Sequence, residues 1–439
     1  MIKEIIKKNR LTIAFFGDIG VFLISIILVL YLRYGNENFY AQFTVHREPF
    51  IFVLIIWFII FYISNLYTYK AFSGILEIVK HLSITLLVSF FITITIFYIF
   101  SRFFYLTPKA NLVIFTIIFG LLDTAWRYLL RKIFIKKEYC SKILMLASSP
   151  LVKTVFDHLK TNPQLGYSVQ LIQDDFRDLS KIIKTDSINL VVVDKEYLKN
   201  NTAIKTLYHL LPKHIEIIMF TDFYESLFGY IPLIEIEEEW FVREITENKN
   251  TYELIKHLLE VLLIIISLPI TIPLIILISF MITLTSRGLI IYKQERMGKN
   301  NKPFTLYKFR TMKVNQTGPL WTTENDSRIT FLGKFLRNTH LDEIPQFFNV
   351  LKGDISFVGP RPERTKLVEI YNQIPYYETR HIIKPGIIGW AQLNYKASTS
   401  LEEAQKKFQY DLYYLKNRSF VLDLFIILKT IRILFLKNK

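Results

Sequence analysis

Four long apolar segments occupy the first third of this 439-residue chain and limit the folds open to it. Each is close to the roughly 20 residues that an α-helix needs to cross the hydrocarbon core of a bilayer. Two carboxylates fall within them, Asp18 and Asp123, for which we expect helix–helix contacts. We therefore predict a block of four transmembrane helices over residues 1–138, formed by Leu11–Leu32, Phe50–Leu66, Leu82–Phe103 and Leu112–Leu130.

Basic residues flank this block and predict its orientation. Lys3, Lys7, Lys8 and Arg10 precede the first segment, and Arg127, Arg131, Lys132, Lys136 and Lys137 cluster around the end of the fourth. The loop Gly35–Pro49 carries few positive charges. Because cytoplasmic flanks are enriched in Lys and Arg, both ends of the block are predicted to face the cytoplasm.

The charge balance narrows the partners. Hydrophobic residues make up 51% of the chain, and the net charge is +16. Such a basic excess suits nucleic acid, anionic lipid or phosphorylated substrates, and the apolar composition makes nucleic acid the least favoured. The sole cysteine, Cys140, excludes an intramolecular disulfide. We expect a lipid bilayer and phosphorylated small molecules as partners, and no nucleic acid.

Residues 139–245 alternate short apolar runs with amphipathic stretches. This alternation predicts a parallel α/β sheet whose strands are Lys142–Ala147, Tyr167–Ile172, Ile188–Val193 and Ile215–Phe220. After the first strand, Ser148-Ser149-Pro150 replaces the glycines with which a dinucleotide-binding fold lets its backbone approach a pyrophosphate. We interpret the segment as a degenerate Rossmann-like module with a regulatory, scaffolding or oligomerisation role.

A further apolar run, Leu258–Leu284, is long enough to cross a bilayer but contains Pro269 and Pro273. Each proline removes a backbone hydrogen bond and favours a kink. The segment either crosses fully, or enters, breaks at the prolines and returns. Near the C-terminus, Phe420–Leu436 mixes apolar and charged residues and fits either an interfacial helix or a core helix.

The most informative stretch is Gly333–Glu363, which contains the adjacent carboxylates Asp342 and Glu343. Thr339 with Asp342 three residues later fits a capping box at a helix N-terminus. Such a position would keep the Asp342 carboxylate ionised, as a nucleophile or a Mg²⁺ ligand must be. The structural and the functional interpretations of the pair are therefore compatible.

Basic residues surround this pair in the sequence. Lys308 and Arg310 lie on a strand-like segment, and Arg337 precedes the pair on a helix-like one, where its guanidinium could hold a phosphate in a bidentate manner. The turn Pro360-Arg361-Pro362 would hold its arginine on a stiff backbone. In Lys384–Trp390 the glycines allow positive φ or close backbone approach. Such an arrangement suggests phosphoryl chemistry at a membrane surface.

Together these residues resemble the bacterial sugar transferases, the monotopic polyprenyl-phosphate phosphoglycosyl transferases. The resemblance covers residues from about Leu254 to the C-terminus, and the N-terminal spans with the α/β module look like the long form of this family. It is carried by Gln294–Gly298, Tyr307–Met312 (YKFRTM), Leu341–Gln346 (LDEIPQ), Asn349–Asp354 (NVLKGD), Ser356–Glu363 (SFVGPRPE), Lys384–Leu393 (KPGIIGWAQL) and Tyr410–Asn417 (YDLYYLKN).

The resemblance implies a reaction that begins exopolysaccharide, capsule or lipopolysaccharide O-antigen synthesis. A sugar-1-phosphate would pass from a UDP-sugar to undecaprenyl phosphate through an aspartyl phosphosugar intermediate, with Mg²⁺ as cofactor and UMP released. By motif position, Asp342 would be the nucleophile and a metal ligand, and Glu343 would assist through the metal or as a base. Arg337 would contact the donor phosphate. Lys308, Arg310 and the Pro360–Pro362 turn would shape the nucleotide site.

The same resemblance implies the location of the enzyme. It would be a multi-pass protein of the bacterial cytoplasmic (inner) membrane, with a mixed α/β catalytic domain over residues 246–439 that faces the cytoplasm. Because UDP-sugars are cytosolic, the segment at about 254–285 should re-enter rather than span. The family usually has Ser directly before its breaking proline, whereas Ile272 precedes Pro273 here, so either Pro269 or Pro273 could make the break.

An alternative from another class is a non-catalytic membrane scaffold or sensor for polysaccharide assembly. The complete set of Asp342, Glu343, Arg337 and the Pro-Arg-Pro turn argues against it. The transferred sugar stays open among glucose, galactose and amino hexoses, and a homodimer is a hypothesis only. Because the resemblance is confined to the C-terminal part, we expect a chain shortened to begin near Asn250 to keep some activity.

Overall fold

The computed structural model describes residues 9–99, 109–172, 188–209, 212, 215–245, 249–285, 288–313, 328–395 and 400–436. The chain forms two compact units, Met1–Phe223 and Tyr224–Lys439. The first unit contains a helical block followed by a four-stranded sheet. The second unit contains a long apolar helix and a mixed α/β domain.

The helical block consists of α1 (Arg10–Ile63), α2 (Ile75–Ile99) and α3 (Lys109–Ile135). Helix α1 is broken at Gly35, whose φ of 67° and ψ of −179° are accessible to glycine but not to other residues. The rings of Phe22 and Trp57, one from each half of α1, lie 6.2 Å apart in an edge-on contact. The two halves therefore pack against each other, and the four predicted segments lie on three helices.

Four helices of the described chain are long and apolar enough to cross a membrane: Arg10–Ile63, Ile75–Ile99, Ala110–Ile135 and Asn250–Thr285. Many of their large apolar side chains are exposed, including Leu32 and Leu121. Apolar surface on this scale marks contact with lipid or protein, which supports membrane association. Inside the block, Arg127 binds Asp18 of α1 and lies 2.8 Å from Asp123, so the expected helix–helix role of these carboxylates is confirmed for Asp18.

The sheet of the first unit has four strands, β1 (Ser141–Leu146), β2 (Tyr167–Ile172), β3 (Leu190–Val193) and β4 (Glu216–Met219). It is entirely parallel, with strand order β2-β1-β3-β4. This confirms the predicted parallel α/β arrangement, with strand ends that differ from the predicted ones by at most two residues. Leu144, Val191 and Val193 are fully buried in its core. The helices that accompany the sheet are α4 (Val152–Thr161), α5 (Lys195–Leu198), α6 (Asn201–Tyr208) and α7 (Phe220–Phe228). The C-terminal part of α7 belongs to the second unit.

The core of the second unit begins before the predicted catalytic domain. Ile231, Trp240 and Ile245 are buried together with Phe408 and Leu412 in one hydrophobic cluster. Helix α8 (Glu238–Ile245) therefore packs in the second unit, whereas the sequence placed these residues at the end of the α/β module. The difference arises because apolar periodicity predicts an element but not the core to which it contributes.

The long helix α9 (Asn250–Thr285) is continuous and contains both Pro269 and Pro273. A break at either proline would therefore be a bend within one continuous helix, and the predicted re-entry stays a prediction. A proline within a helix removes one hydrogen bond and can bend the helix without ending it. In α9 the Thr271 hydroxyl donates at 3.1 Å to the carbonyl of Ser267, which lies two residues before Pro269.

Both arms of α9 pack on the same domain. Ile264 is buried in a cluster with Leu306, and Ile278 is buried in a cluster with Phe309. In a straight helix Ile264 and Ile278 would lie about 21 Å apart. Their partners Leu306 and Phe309 are three residues apart on one strand, which corresponds to only about 10 Å. Between the two arms, Ile270 is 75% exposed. This arrangement favours a bend in α9 near its prolines.

The rest of the second unit surrounds two small sheets. Strands β5 (Ile291–Met297) and β6 (Pro303–Phe309) form an antiparallel hairpin, and β7 (Ser356–Val358) pairs in parallel with β8 (Gly386–Ile388). A 3₁₀ helix covers Leu341–Gln346. The helices are α10 (Phe331–Asn338), α11 (Phe347–Lys352), α12 (Thr365–Tyr371), α13 (Trp390–Asn394), α14 (Leu401–Asn417) and α15 (Phe420–Leu436).

Helix α15 combines the two interpretations left open from the sequence. Ile426 is fully buried in the core of the second unit. On another face, Val421 is 74% exposed and Leu424 is exposed as well. One side of the helix is thus a core element, and the other is an apolar surface suited to a membrane interface.

Candidate functional site

The site is built where strand β6 meets the Leu341–Gln346 3₁₀ helix. Asn349, which is fully buried, joins the two: its Oδ1 accepts from the Tyr307 backbone N–H at 3.1 Å, and its Nδ2 donates to the Thr305 carbonyl at 2.7 Å. These bonds fix α11 against β6. The carboxylates of Asp342 and Glu343 are thereby held beside Lys308 on the strand.

The predicted capping box is wrong. Thr339 follows the last residue of α10 and caps its C-terminus, where its Oγ1 donates to the Phe335 carbonyl at 2.9 Å. His340 then adopts φ 54°, in the left-handed region, and begins the 3₁₀ helix. Helix α10 thus ends where the sequence pattern predicted a new helix to begin. A threonine can occur at either end of a helix, so the pattern alone did not distinguish the two.

Glu343 binds two cations at one oxygen atom. Its Oε1 lies 2.5 Å from Lys308 Nζ and 2.9 Å from Arg361 Nη2. Burial alone would raise the pKa of Glu343, but the charges of Arg361 and Lys308 outweigh it and hold the pKa well below its usual range. Glu343 is therefore an ionised group fixed in place. Burial, with the charge of Arg361, in turn lowers the pKa of Lys308.

Asp342 differs from Glu343 both in its contacts and in the direction in which its pKa is shifted. Its side chain is only 8% exposed, yet within the described part of the chain no hydrogen bond to its carboxylate is found. Burial raises the pKa of Asp342, and the charge of Lys308 opposes this only in part. Asp342 lies in the first turn of the 3₁₀ helix Leu341–Gln346, and its burial opposes the ionised form that a helix N-terminus favours. Its oxygens remain available to a ligand.

The other predicted basic residues separate into two groups. Arg337 lies on α10, where its Nε donates to Thr311 Oγ1 at 2.9 Å and its charge acts on Asp342. Arg310 is half-buried directly after β6, and its backbone N–H donates to the Ile290 carbonyl at 2.9 Å. The structure thus brings Lys308, Arg337 and Arg361 to the carboxylates, and it shows no contact of Arg310 with either carboxylate among the described residues.

A buried network that the sequence did not reveal supports the Pro360-Arg361-Pro362 turn. Arg380 Nη2 donates to the Arg361 carbonyl at 3.0 Å and to Asp411 Oδ2 at 2.8 Å. Glu363 lies 2.5 Å from Lys407. These partners are spread over the 3₁₀ helix Tyr377–Ile382 and helix α14. Charged residues within amphipathic stretches resemble solvated ones in a sequence, so no local pattern distinguishes them.

The glycines of the Lys384–Trp390 turn serve close backbone approach. A Cβ on Gly386 would lie 2.6 Å from the Gly359 Cα, so the strand pair β7–β8 requires the absence of a side chain there. On this stiff support, Arg361 Nη1 donates to the Ile387 carbonyl at 3.3 Å. The turn and the strand pair together direct the Arg361 guanidinium toward Glu343.

The residues fit a magnesium ion only if a substrate completes its coordination. The described residues contain no group of three or more His, Cys, Asp or Glu side chains that could hold a metal. Mg²⁺, however, is often bound by one or two carboxylates together with substrate phosphates and water. Asp342 offers both oxygens, and both cation contacts of Glu343 go to Oε1, which leaves Oε2 for such an ion.

The second unit of the chain matches a known family. Residues 251–437 match the family described as bacterial sugar transferase, a range that includes every residue of the site. A Bacillus subtilis protein, putative undecaprenyl-phosphate N-acetylgalactosaminyl 1-phosphate transferase, is 41% identical over 155 residues, which cover 34% of this chain and 87% of that relative. The chain belongs to the bacterial sugar transferase family.

Two longer relatives of this sugar transferase match it over part of their length. UDP-N-acetylgalactosamine-undecaprenyl-phosphate N-acetylgalactosaminephosphotransferase of Aeromonas hydrophila is 38% identical over 222 residues, 50% of this chain and 52% of the relative. UDP-glucose:undecaprenyl-phosphate glucose-1-phosphate transferase of Klebsiella pneumoniae is 45% identical over 164 residues, 36% of this chain and 35% of the relative. The matches thus span about half or less of these longer relatives.

Proposed function

We propose that this sugar transferase moves a sugar-1-phosphate from a UDP-sugar to undecaprenyl phosphate through an intermediate on Asp342. The observation that carries the proposal is the difference between the two adjacent carboxylates. Glu343 is bound by Lys308 and Arg361, whereas the Asp342 carboxylate is buried beside them without a hydrogen bond in the described structure. The first is suited to hold cations in place, and the second is suited to attack.

In the first step, an Asp342 carboxylate oxygen attacks the phosphorus that carries the sugar. A bond forms between this oxygen and that phosphorus, and the bond from the phosphorus to the bridging oxygen of the diphosphate breaks. UMP leaves with the bridging oxygen and its electron pair. Arg361 and Lys308 lie where they can offset the negative charge of the phosphates, and Arg337 is placed to contact the donor.

In the second step, a phosphate oxygen of undecaprenyl phosphate attacks the same phosphorus. The bond between that phosphorus and Asp342 breaks, which regenerates the carboxylate and yields undecaprenyl diphosphate-sugar. A covalent intermediate separates two anionic substrates in time, so the lipid phosphate does not have to approach while UMP is still bound. Glu343 keeps Lys308 and Arg361 beside the reacting group through both steps.

Magnesium, when bound, would neutralise charge on the donor diphosphate. We propose that the carboxylate of Asp342 and the Oε2 atom of Glu343 would hold the magnesium ion. The remaining coordination positions would belong to phosphate oxygens and water, as is usual for this ion.

The membrane arrangement follows from the chemistry. UDP-sugars are cytosolic, so we propose that the site faces the cytoplasm of a bacterial inner membrane and that α9 enters the bilayer and returns. The packing of both arms of α9 on one domain supports this, as does the exposed segment around Ile270. We further propose that the enzyme acts in exopolysaccharide, capsule or lipopolysaccharide synthesis and that it forms a homodimer.

The reaction is tested with purified full-length protein, undecaprenyl phosphate, Mg²⁺ and a panel of UDP-hexoses and UDP-N-acetylhexosamines, with UMP release as the readout. Release with one donor, lost in Asp342→Asn and kept in the matched control Asp157→Asn, is the expected result. Asp157 is an exposed carboxylate of α4. Folded protein that releases no UMP from any donor would favour a scaffold role instead.

A further inference from the structure

A cavity of about 30 Å³ lies at the start of α9 in the second unit. Its described lining includes Lys256, His257 and Lys384 and contains neither Asp342 nor Glu343. A space of this size takes about two water-sized groups, such as two oxygens of a phosphate. The proposed transfer reaction makes no use of this cavity.

The ion pairs around the cavity leave one lysine uncompensated at its wall. Lys256 is paired with Asp423 at 2.9 Å. Glu253 is paired with Lys299 at 2.9 Å, and Glu260, which also lines the cavity, accepts a hydrogen bond from the Phe357 backbone N–H at 2.8 Å. Lys384 makes no ion pair within the described part of the chain. Each carboxylate of the described lining thus has its own partner, which leaves the Lys384 ammonium group for an anionic ligand.

Lys384 is positioned by the fold at this cavity. It directly precedes the Pro385-Gly386 start of β8, and its Nζ lies 3.3 Å from the position that a Cβ on Gly353 would take. Gly353 has φ 81°, at which other side chains are strained. A glycine at this position therefore leaves room for the lysine ammonium group against the backbone.

Helix α9 lines the cavity, and α15 begins two residues after the lining residue Arg418; both helices have exposed apolar faces. Leu258 on α9 is exposed about one and a half turns beyond Tyr252 and Glu253, and Val421 on α15 is exposed near the start of that helix. The helices touch where the rings of Tyr252 and Phe420 lie 4.9 Å apart. A basic group at the polar end of lipid-facing helices lies at the level of the headgroups.

We propose that this cavity binds the phosphate headgroup of a membrane phospholipid, with Lys384 as its main charge partner. The phosphate would contact the Lys384 ammonium group, and the acyl chains would lie along the exposed faces of α9 and α15. Continuity with the apolar surface of α9 identifies the occupant as a lipid rather than a soluble phosphate. The inference does not depend on the phosphotransfer reaction, because its readout is lipid binding.

The test is native mass spectrometry of the full-length protein in a neutral detergent, titrated with dioleoyl phosphatidylglycerol. Dioleoylglycerol, which has the same chains and no phosphate, and inorganic phosphate are the comparison ligands. Because a hydrogen bond to a charged group contributes appreciably, Lys384→Gln is expected to weaken phosphatidylglycerol binding roughly tenfold or more. Lys384→Arg should retain binding, and so should Lys366→Gln, which removes an exposed lysine of α12.

Several outcomes would overturn the proposal. Phosphatidylglycerol binding that is unchanged in correctly folded Lys384→Gln protein would remove the site. An equal loss in Lys366→Gln would show a general charge effect, and an equal loss in Lys384→Arg would exclude a charge-based contact. Displacement of the lipid by inorganic phosphate at similar concentrations would identify a soluble anion as the ligand.

Discussion

Lys308 and Glu343 lie 35 positions apart in the sequence, and the Lys308 Nζ lies 2.5 Å from the Glu343 Oε1 in the structure. Arg361, which follows Glu343 by 18 positions in the sequence, binds the same oxygen at 2.9 Å. Three segments with no local relation thus meet at one carboxylate. Asp342, its neighbour in sequence, is left as the carboxylate without such contacts in the described structure.

Glu343→Gln is predicted to destabilise the second unit by roughly 2 kcal/mol, because it leaves two half-buried cations, Lys308 and Arg361, without their carboxylate. The apparent Tm of the full-length protein in detergent checks this. Glu196→Gln is the control, because Glu196 forms an exposed ion pair with Lys199. Such exposed pairs contribute at most about 1 kcal/mol. Equal Tm shifts for the two variants would contradict the structural role of Glu343.

The pH dependence of transfer should reflect the burial of Asp342. Because its pKa is raised and the attacking group must be ionised, activity should fall at a higher pH than the value of about 3.9 for an ordinary aspartate. The charge of Lys308 lowers this pKa, so Lys308→Met should move the acid limb of kcat/KM to still higher pH. The control Lys366→Gln should leave the limb unchanged. A shift of the Lys308→Met limb to lower pH would contradict this electrostatic account.

The sequence predicted more of the elements than of their assembly. The parallel strands of the first unit, the apolar segments and the basic strand around Lys308 were all visible as local patterns. The predicted loop Gly35–Pro49 is helical except at Gly35, where α1 breaks, and the helix expected to begin at Thr339 ends there instead. Short patterns of capping residues fit both ends of a helix, so tertiary packing decides between them.

The site was predictable where residue type and motif coincide. Asp342, Glu343 and Arg361 stand out as charged residues beside turns, and the structure brings them together. Arg380 did not stand out, and Asp411, although it lies in the Tyr410–Asn417 stretch, was given no role, because an ion pair between a 3₁₀ helix and an amphipathic helix has no local signature. Contacts of this kind depend on how distant elements pack.

His381 should make the second unit less stable at acidic pH. It is buried, and burial with the charge of Arg380 lowers its pKa to about 3. The unfolded chain would bind a proton near pH 6.5, so stability is full above that pH and falls by up to about 1.4 kcal/mol per pH unit below it. Between pH 6.5 and 4.5, His381→Gln should show a flatter dependence of the free energy of unfolding on pH. Parallel curves for variant and wild type would contradict a buried neutral histidine.

The shortest chain that folds should begin near Tyr224 rather than near Asn250. Trp240 and Ile245 are buried in the core of the second unit, so removing them exposes Phe408 and its neighbours. Loss of buried aromatic and aliphatic side chains typically costs about 3–5 kcal/mol for each large one. Circular dichroism and size-exclusion chromatography of the two shortened chains in detergent check this. A stable, monodisperse chain from Asn250 would show that residues 224–249 are dispensable.

The most direct test is to look for the intermediate on Asp342. The full-length protein is incubated with Mg²⁺ and the UDP-sugar that supports UMP release, without undecaprenyl phosphate, and its peptides are examined by mass spectrometry after acid quenching. The account predicts one equivalent of UMP and a sugar-phosphate adduct on the peptide that contains Asp342, absent in Asp342→Asn and removed by adding undecaprenyl phosphate. UMP release that requires the lipid acceptor and leaves no adduct would contradict a covalent role for Asp342.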